Sequence, residues 1–166
     1  WLFIYFCNGI NVADLINLKF SDIQNGEISF IREKTKDRTR DAKRIYAPIT
    51  PEMQSIIEKW GNNPRKSIYI FPFMKAGDDA WEHEKKKKNL TKHINDRMKV
   101  IGEKLNIGKI TTYVARHTYA TVLRNEGVPV SIISPMLGHT SVTTTEIYLA
   151  DLESENRARN AHLLSF

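Results

Sequence analysis

Residues 111–119 read TTYVARHTY and residues 137–150 read LGHTSVTTTEIYLA. They set Arg116, His139 and Tyr148 at intervals of 23 and nine residues. With Lys34 and Tyr113 added, five side chains offer basic or nucleophilic groups. Taken singly, each has a plain structural role. An arginine in mid-helix between Val114 and Ala120 meets a carboxylate or snorkels, because an unpaired buried charge is costly. His139 follows Leu-Gly and suits a helix end. Tyr113 and Tyr148 suit packing, and Lys34 suits a solvated strand end. Held together, they would form a cationic site with a nucleophilic hydroxyl at hand.

The charge balance points to an anionic partner. Lys and Arg number 25 against 19 acids, for a net charge of +6 and a pI near 9.4. Nucleic acid is the commonest partner of such a chain. Residues 32–44 hold seven Lys or Arg against three acids, and Lys85 to Lys88 form a second run. The length of 166 residues fits one domain with a real core. No apolar run is long enough to span a membrane, and no signal peptide is visible, so a cytoplasmic, DNA-associated protein without membrane partners is expected. The single Cys7 excludes an intrachain disulfide and a Cys-based metal site, and its apolar neighbours make it a core residue. The abrupt start on WLFIYFC suggests a fragment cut close to or inside a helix, with a domain missing upstream.

The elements that must position these groups read as follows. Residues 1–8 form the end of an apolar helix that Gly9 breaks. Asn11 caps the next, with Val12, Leu15, Ile16 and Leu18 at helical spacing. Residues 27–32 (EISFIR) and 43–49 (KRIYAPI) read as paired strands joined by a basic hairpin tip. Thr50-Pro51 starts a helix that runs to about Trp60. IYIFPF at 68–73 reads as a third strand or an extended turn, and residues 75–88 as a polar loop. A helix follows from about Leu90 to Leu105, with Ile94, Met98, Ile101 and Leu105 on one face. Another starts at Thr111 or Thr112 and ends near Gly127. Residues 129–137 and 142–149 are short helices split by Gly138, and residues 151–164 form a polar terminal helix. The fold class is α+β: mainly helical, with a small antiparallel sheet.

Three spaced motifs together resemble the catalytic domain of the tyrosine recombinases, the integrases of phages and transposons. Arg116, His117, Thr118, Ala120 and Thr121 match its second box. Leu137, Gly138, His139, Thr144, Thr145, Ile147 and Tyr148 match the box around the nucleophile. GINVADLINLKFSDI resembles the first box, with Gly9, Leu15, Leu18 and Asp22 in place. The resemblance covers nearly the whole chain. It implies that Tyr148 attacks a DNA phosphodiester, leaving a 3′-phosphotyrosine and a free 5′-hydroxyl, and that a partner strand's 5′-hydroxyl then completes strand exchange. Arg116 would bind the nonbridging oxygens, since its planar guanidinium is always charged and bidentate. His139 would donate a hydrogen bond to the same oxygens. Lys34 would protonate the leaving oxygen, with Lys36 the alternative. Neither ATP, a cofactor nor a metal is implied.

Two departures stand out. The first box normally reads Gly-Leu-Arg, and here Gly9-Ile10-Asn11 lacks the arginine; Arg32 or Lys19 are the candidates to replace it in space. Tyr113 stands where the family usually has histidine, which resembles a branch of integrases carried by conjugative and mobilisable elements. The basic hairpin (Lys36, Arg38, Arg40, Lys43, Arg44) and Lys85, Lys86, Lys87 and Lys88 are expected on DNA phosphates, with steep salt dependence. The expected partners are double-stranded attachment sites and a tetramer on DNA built through residues 151–164, which alternatively pack in cis. Two other readings remain: a DNA-binding module of this fold that has lost its chemistry, favoured by Asn11, and a relaxing topoisomerase.

Overall fold

The computed structural model describes residues 1–34 and 43–161, with side chains to residue 151. Helix α1 (Leu2–Phe6) buries Phe3 and Ile4 and ends at Asn8-Gly9, both at positive φ (51° and 62°). Helix α2 (Val12–Leu15) follows; Asn11 sits at its N-cap but supplies no side-chain cap bond. Strands β1 (Ile23–Gln24), β2 (Glu27–Ile31) and β3 (Arg44–Pro48) form an antiparallel sheet in that order. Asn25 and Gly26 both have positive φ, which is what a two-residue turn between twisted strands requires. Ile28, Ser29 and Phe30 of β2 are all buried, so the central strand is covered on both faces, whereas β3 alternates.

Helix α3 (Pro51–Trp60) starts as expected, with the Thr50 hydroxyl accepting from the Met53 amide. Helices α4 (Ala80–Lys104), α5 (Thr112–Asn125), α6 (Val130–Met136) and α7 (Val142–Ala161) complete the chain. The main core gathers α1, α2, the sheet and residues 70–74. A smaller cluster of Ala120, Ile133, Leu137 and Leu149 joins α5, α6 and α7. Among the described residues no helix is long and apolar enough to cross a membrane.

Four expectations change or narrow. Residues 68–73 take the extended-turn alternative, with only an isolated bridge, Lys19 to Tyr69, and the third strand is β1 instead. Ile70 and Phe71 serve as a core plug, and Pro72 has no amide to continue a ladder. Residues 80–88 are helical, not loop. An Asp79–Glu82 capping box starts α4 there, and ion pairs Lys86–Asp78 and Lys87–Glu84 hold a turn that has no apolar face. On the expected apolar face of α4, Leu90 and Ile94 pack on the core, while Ile101 and Leu105 are exposed. Residues 142–161 are one helix rather than two, since no Gly or Pro interrupts them. The packing expected of Leu152, Ala161, Leu163 and Leu164 lies outside the described side chains.

Candidate active site

Arg116 is only 5% exposed, and it meets backbone carbonyls rather than a carboxylate. Its Nη1 donates to the Gly9 carbonyl at 3.0 Å, and its Nη2 to the Leu137 carbonyl at 2.5 Å. One side chain on α5 thus ties the α1–α2 turn to the end of α6. The Gly9 carbonyl is aimed by local sequence. A Cβ at Gly9 would lie 2.8 Å from the Arg116 Cα and Cγ, and its φ is left-handed, so only glycine fits. Asn8 holds the turn from outside, donating to the Tyr46 carbonyl and accepting from the Tyr119 hydroxyl, each at 2.9 Å.

His139 follows at the end of α6. Arg116 Nη2 lies 3.2 Å from its Nε2. A guanidinium has only donors, so Nε2 accepts. The proton then sits on Nδ1, which donates to the Thr145 hydroxyl at 2.8 Å. Burial, then the charges of Arg116 and Arg32, lower the His139 pKa to about 4, so the ring is neutral. Burial also lowers that of Arg116 to about 10, with Arg32 adding to the effect.

The depressed His139 value has a stability consequence. Unfolded, the ring titrates near 6.5; folded, at about 4. The unfolded chain therefore takes up the proton first as pH falls. The stability contributed by neutral His139 is complete above pH 6.5 and is lost on descent toward about 4. The urea midpoint of the wild type should drop between pH 7 and pH 5 by more than that of His139→Gln. Equal drops would contradict this.

Arg116 and His139 line a cavity of about 660 Å³, and Tyr148, on α7, lines it too. Its hydroxyl is buried and has no hydrogen-bond partner among the described residues. Burial, with Tyr113 nearby, raises its pKa, and the Arg116 charge opposes the rise. Asn11, Lys34 and Tyr113 line the cavity too. All five residues expected at a catalytic centre, and the position lacking arginine, therefore meet.

Two further groups complete the wall. Arg32, at the end of β2, lines the cavity and donates from Nη1 to the Gly138 carbonyl at 3.0 Å. Gly138 also has a left-handed φ of 67°, which favours glycine, and a Cβ there would crowd the Arg32 Cδ at 2.5 Å. Lys19, the other candidate for the missing charge, instead lies over the Tyr69 ring and lines a separate cleft. Asp14 was not anticipated. It is 6% exposed, lines the cavity, and accepts the Glu33 amide at 2.7 Å, fixing the strand end that carries Arg32 and Lys34. Burial raises its pKa, and the Glu33 amide and Arg32 oppose the rise. The available signal was its place one turn after Asn11.

The expected phosphate contacts divide. Lys36, Arg38 and Arg40 lie outside the described residues. Lys43 is exposed, whereas Arg44 is held by the Ser29 carbonyl and hydroxyl. In the α4 run, Lys86 and Lys87 are ion-paired and Lys85 lies over the Trp81 ring. Lys88 instead shares an open cleft with Lys92, Lys99 and Lys109. Among the described residues no cluster of His, Cys, Asp and Glu could hold a metal ion.

The profile of the phage integrase family matches residues 2–155. Tyrosine recombinase XerA of Pyrococcus furiosus is 32% identical over 145 residues, covering 84% of this chain and 45% of its own length. XerD of Rickettsia bellii is 27% identical, covering 87% and 48%. The chain thus spans about half the length of the curated relatives it matches. Among solved structures, XerA recombinase superposes with a TM-score of 0.59 at 23% identity, over 93% of this chain and 56% of that one. The Tn1549 transposon integrase in complex with a circular intermediate DNA gives 0.61 at 18% identity, over 89% and 52%. These two likenesses carry the fold.

Proposed function

The chain belongs to the phage integrase family, the tyrosine recombinases, and we propose that its cavity cleaves and rejoins DNA at specific sites through Tyr148. The carrying observation is the convergence of Arg116, His139, Lys34 and Tyr148 with Arg32 on one cavity of about 660 Å³. A phosphodiester seated there meets two guanidinium groups beside a tyrosine hydroxyl. The Tyr148 oxygen attacks phosphorus and loses its proton to solvent. The bond from phosphorus to the leaving 5′-oxygen breaks, and Lys34 or Lys36 protonates that oxygen. The products are a 3′-phosphotyrosine and a 5′-hydroxyl. A 5′-hydroxyl from a partner strand reverses the step, completing integration or excision of a mobile element. The phosphotyrosine retains the bond's free energy, so religation needs no ATP.

Electrostatic stabilisation of the nonbridging oxygens falls to Arg116 and Arg32, already oriented by carbonyls. His139 rests as a neutral acceptor. Donating to phosphate requires a proton on Nε2, and the incoming negative charge favours that proton. Tyr113 offers a further hydroxyl. The lysines of α4 and the β2–β3 connection hold flanking phosphates. The stretch of α7 beyond Tyr148 links protomers into a tetramer on DNA, and an upstream DNA-clamping domain completes the grip.

The polarity of the covalent link tests this reading. On a nicked duplex labelled at the 5′ end of the cleaved strand, the label should move onto the protein; transfer of a 3′ label instead would refute it. The competing reading, a binding module without chemistry, rests on Asn11. It predicts DNA binding with no transfer of either label.

A further inference from the structure

We propose that His117 is a positioning residue for the nucleophile: its ring is the flat platform that sets the direction of the Tyr148 phenol. The proposal rests on the recombinase reading of the cavity. A tyrosine nucleophile must present its oxygen in line with a phosphorus–oxygen bond, and hydrogen bonds usually impose such a direction. Here the Tyr148 hydroxyl has no hydrogen-bond partner among the described residues. Three rings meet the phenol, beside the small cluster of Ala120, Ile133, Leu137 and Leu149.

The three rings do different things. His139 and Tyr113 meet Tyr148 edge-on, at 5.7 and 6.3 Å between centroids and both 79° between planes. His117 lies parallel to it, at 5.2 Å and 9°. Of the three rings, only His117 matches the plane of the phenol. His117 is itself held, because Tyr113 packs edge-on against it at 4.0 Å and 85°. Tyr113 and His117 are four residues apart on α5 and so share one helix face. The column Tyr113–His117–Tyr148 therefore transfers the rigidity of α5, which also carries Arg116, to a side chain on α7. Phosphate-binding group and nucleophile are registered to the same helix.

The requirement is for a plane, not for an imidazole proton. His117→Phe should keep the column, and His117→Ala should lose it. A displacement near 1 Å at a reacting group can lower a rate about 100-fold. Single-turnover cleavage of a nicked suicide duplex by the full-length protein is therefore expected to slow about 10- to 100-fold in His117→Ala. His117→Phe should remain within a few-fold of wild type. DNA affinity should be unchanged in both, and His117→Phe should keep the melting temperature of the wild type. In parallel, 3-fluorotyrosine incorporation reports ring order without catalysis: the Tyr148 fluorine signal, assigned by its loss in Tyr148→Phe, should shift in His117→Ala and stay in His117→Phe.

Wild-type cleavage rates in His117→Ala would overturn the proposal, as would a His117→Phe protein as slow as His117→Ala, which would assign His117 a proton-dependent role. Absence of any adduct from the wild type would overturn the recombinase reading and the positioning role together. An ordered fluorine signal in that case would leave the column as packing alone.

Discussion

Arg116→Ala should lower the rate of DNA cleavage by at least 10²–10³, the order associated with removing one oriented donor from a developing charge. The loss should exceed that of an ordinary donor, because two functions end together. The guanidinium is the deepest cation of the cavity, and it also joins Gly9 to Leu137 through their carbonyls. Without it, two buried carbonyls lose their donors, at about 1–3 kcal/mol each. His139 loses the partner that fixes its tautomer. Arg116→Ala should therefore also melt at a lower temperature. Arg116→Lys separates the two effects. It keeps a charge but cannot reach both carbonyls and His139, so it should recover part of the melting temperature and little of the cleavage. Full cleavage by either variant would remove Arg116 from the centre of the site.

The second large effect belongs to Arg32. It lines the same cavity as Asn11, the position that lacks the first-box arginine. Arg32→Ala should cost on the order of 10²–10³ in cleavage. Its structural penalty should be smaller than that of Arg116, since Arg32 is only partly buried whereas Arg116 is buried and joins two carbonyls. Asn11→Arg in the Arg32→Ala background should restore a sizeable part of the rate, because both side chains face the same 660 Å³. The same substitution in the wild type should gain little, for a third guanidinium would repel the two present. A rate in Arg32→Ala within a few-fold of wild type would show that the missing arginine has no substitute at this position.

The pattern of what the sequence disclosed follows from range. Arg116 and Tyr148 stand on α5 and α7 and His139 just past the end of α6, and the caps and breakers of these helices are local, so both the spacing and the elements are readable. Arg32 could be named but not chosen over Lys19, because the choice depends on where β2 points after pairing with β3. Asp14 was passed over because a carboxylate beside a helix start usually reads as first-turn charge, and its bond to Glu33 spans 19 residues. The start of α4 was missed for another reason: a capping box and ion pairs hold it, and hydrophobic periodicity is blind to both. The Asn25-Gly26 turn was a legible signal, left unused because a two-residue strand precedes it. His117 was assigned only to its motif, since ring planes are invisible in a string of letters.

Tyr148 should become covalently joined to DNA. Full-length protein incubated with a nicked suicide duplex carrying the element's end should yield an adduct that survives SDS. In Tyr148→Phe, which removes one oxygen and leaves the ring against His117, the adduct should vanish while DNA binding persists. An adduct of undiminished yield from Tyr148→Phe, or none from the wild type despite salt-sensitive binding, would contradict the account.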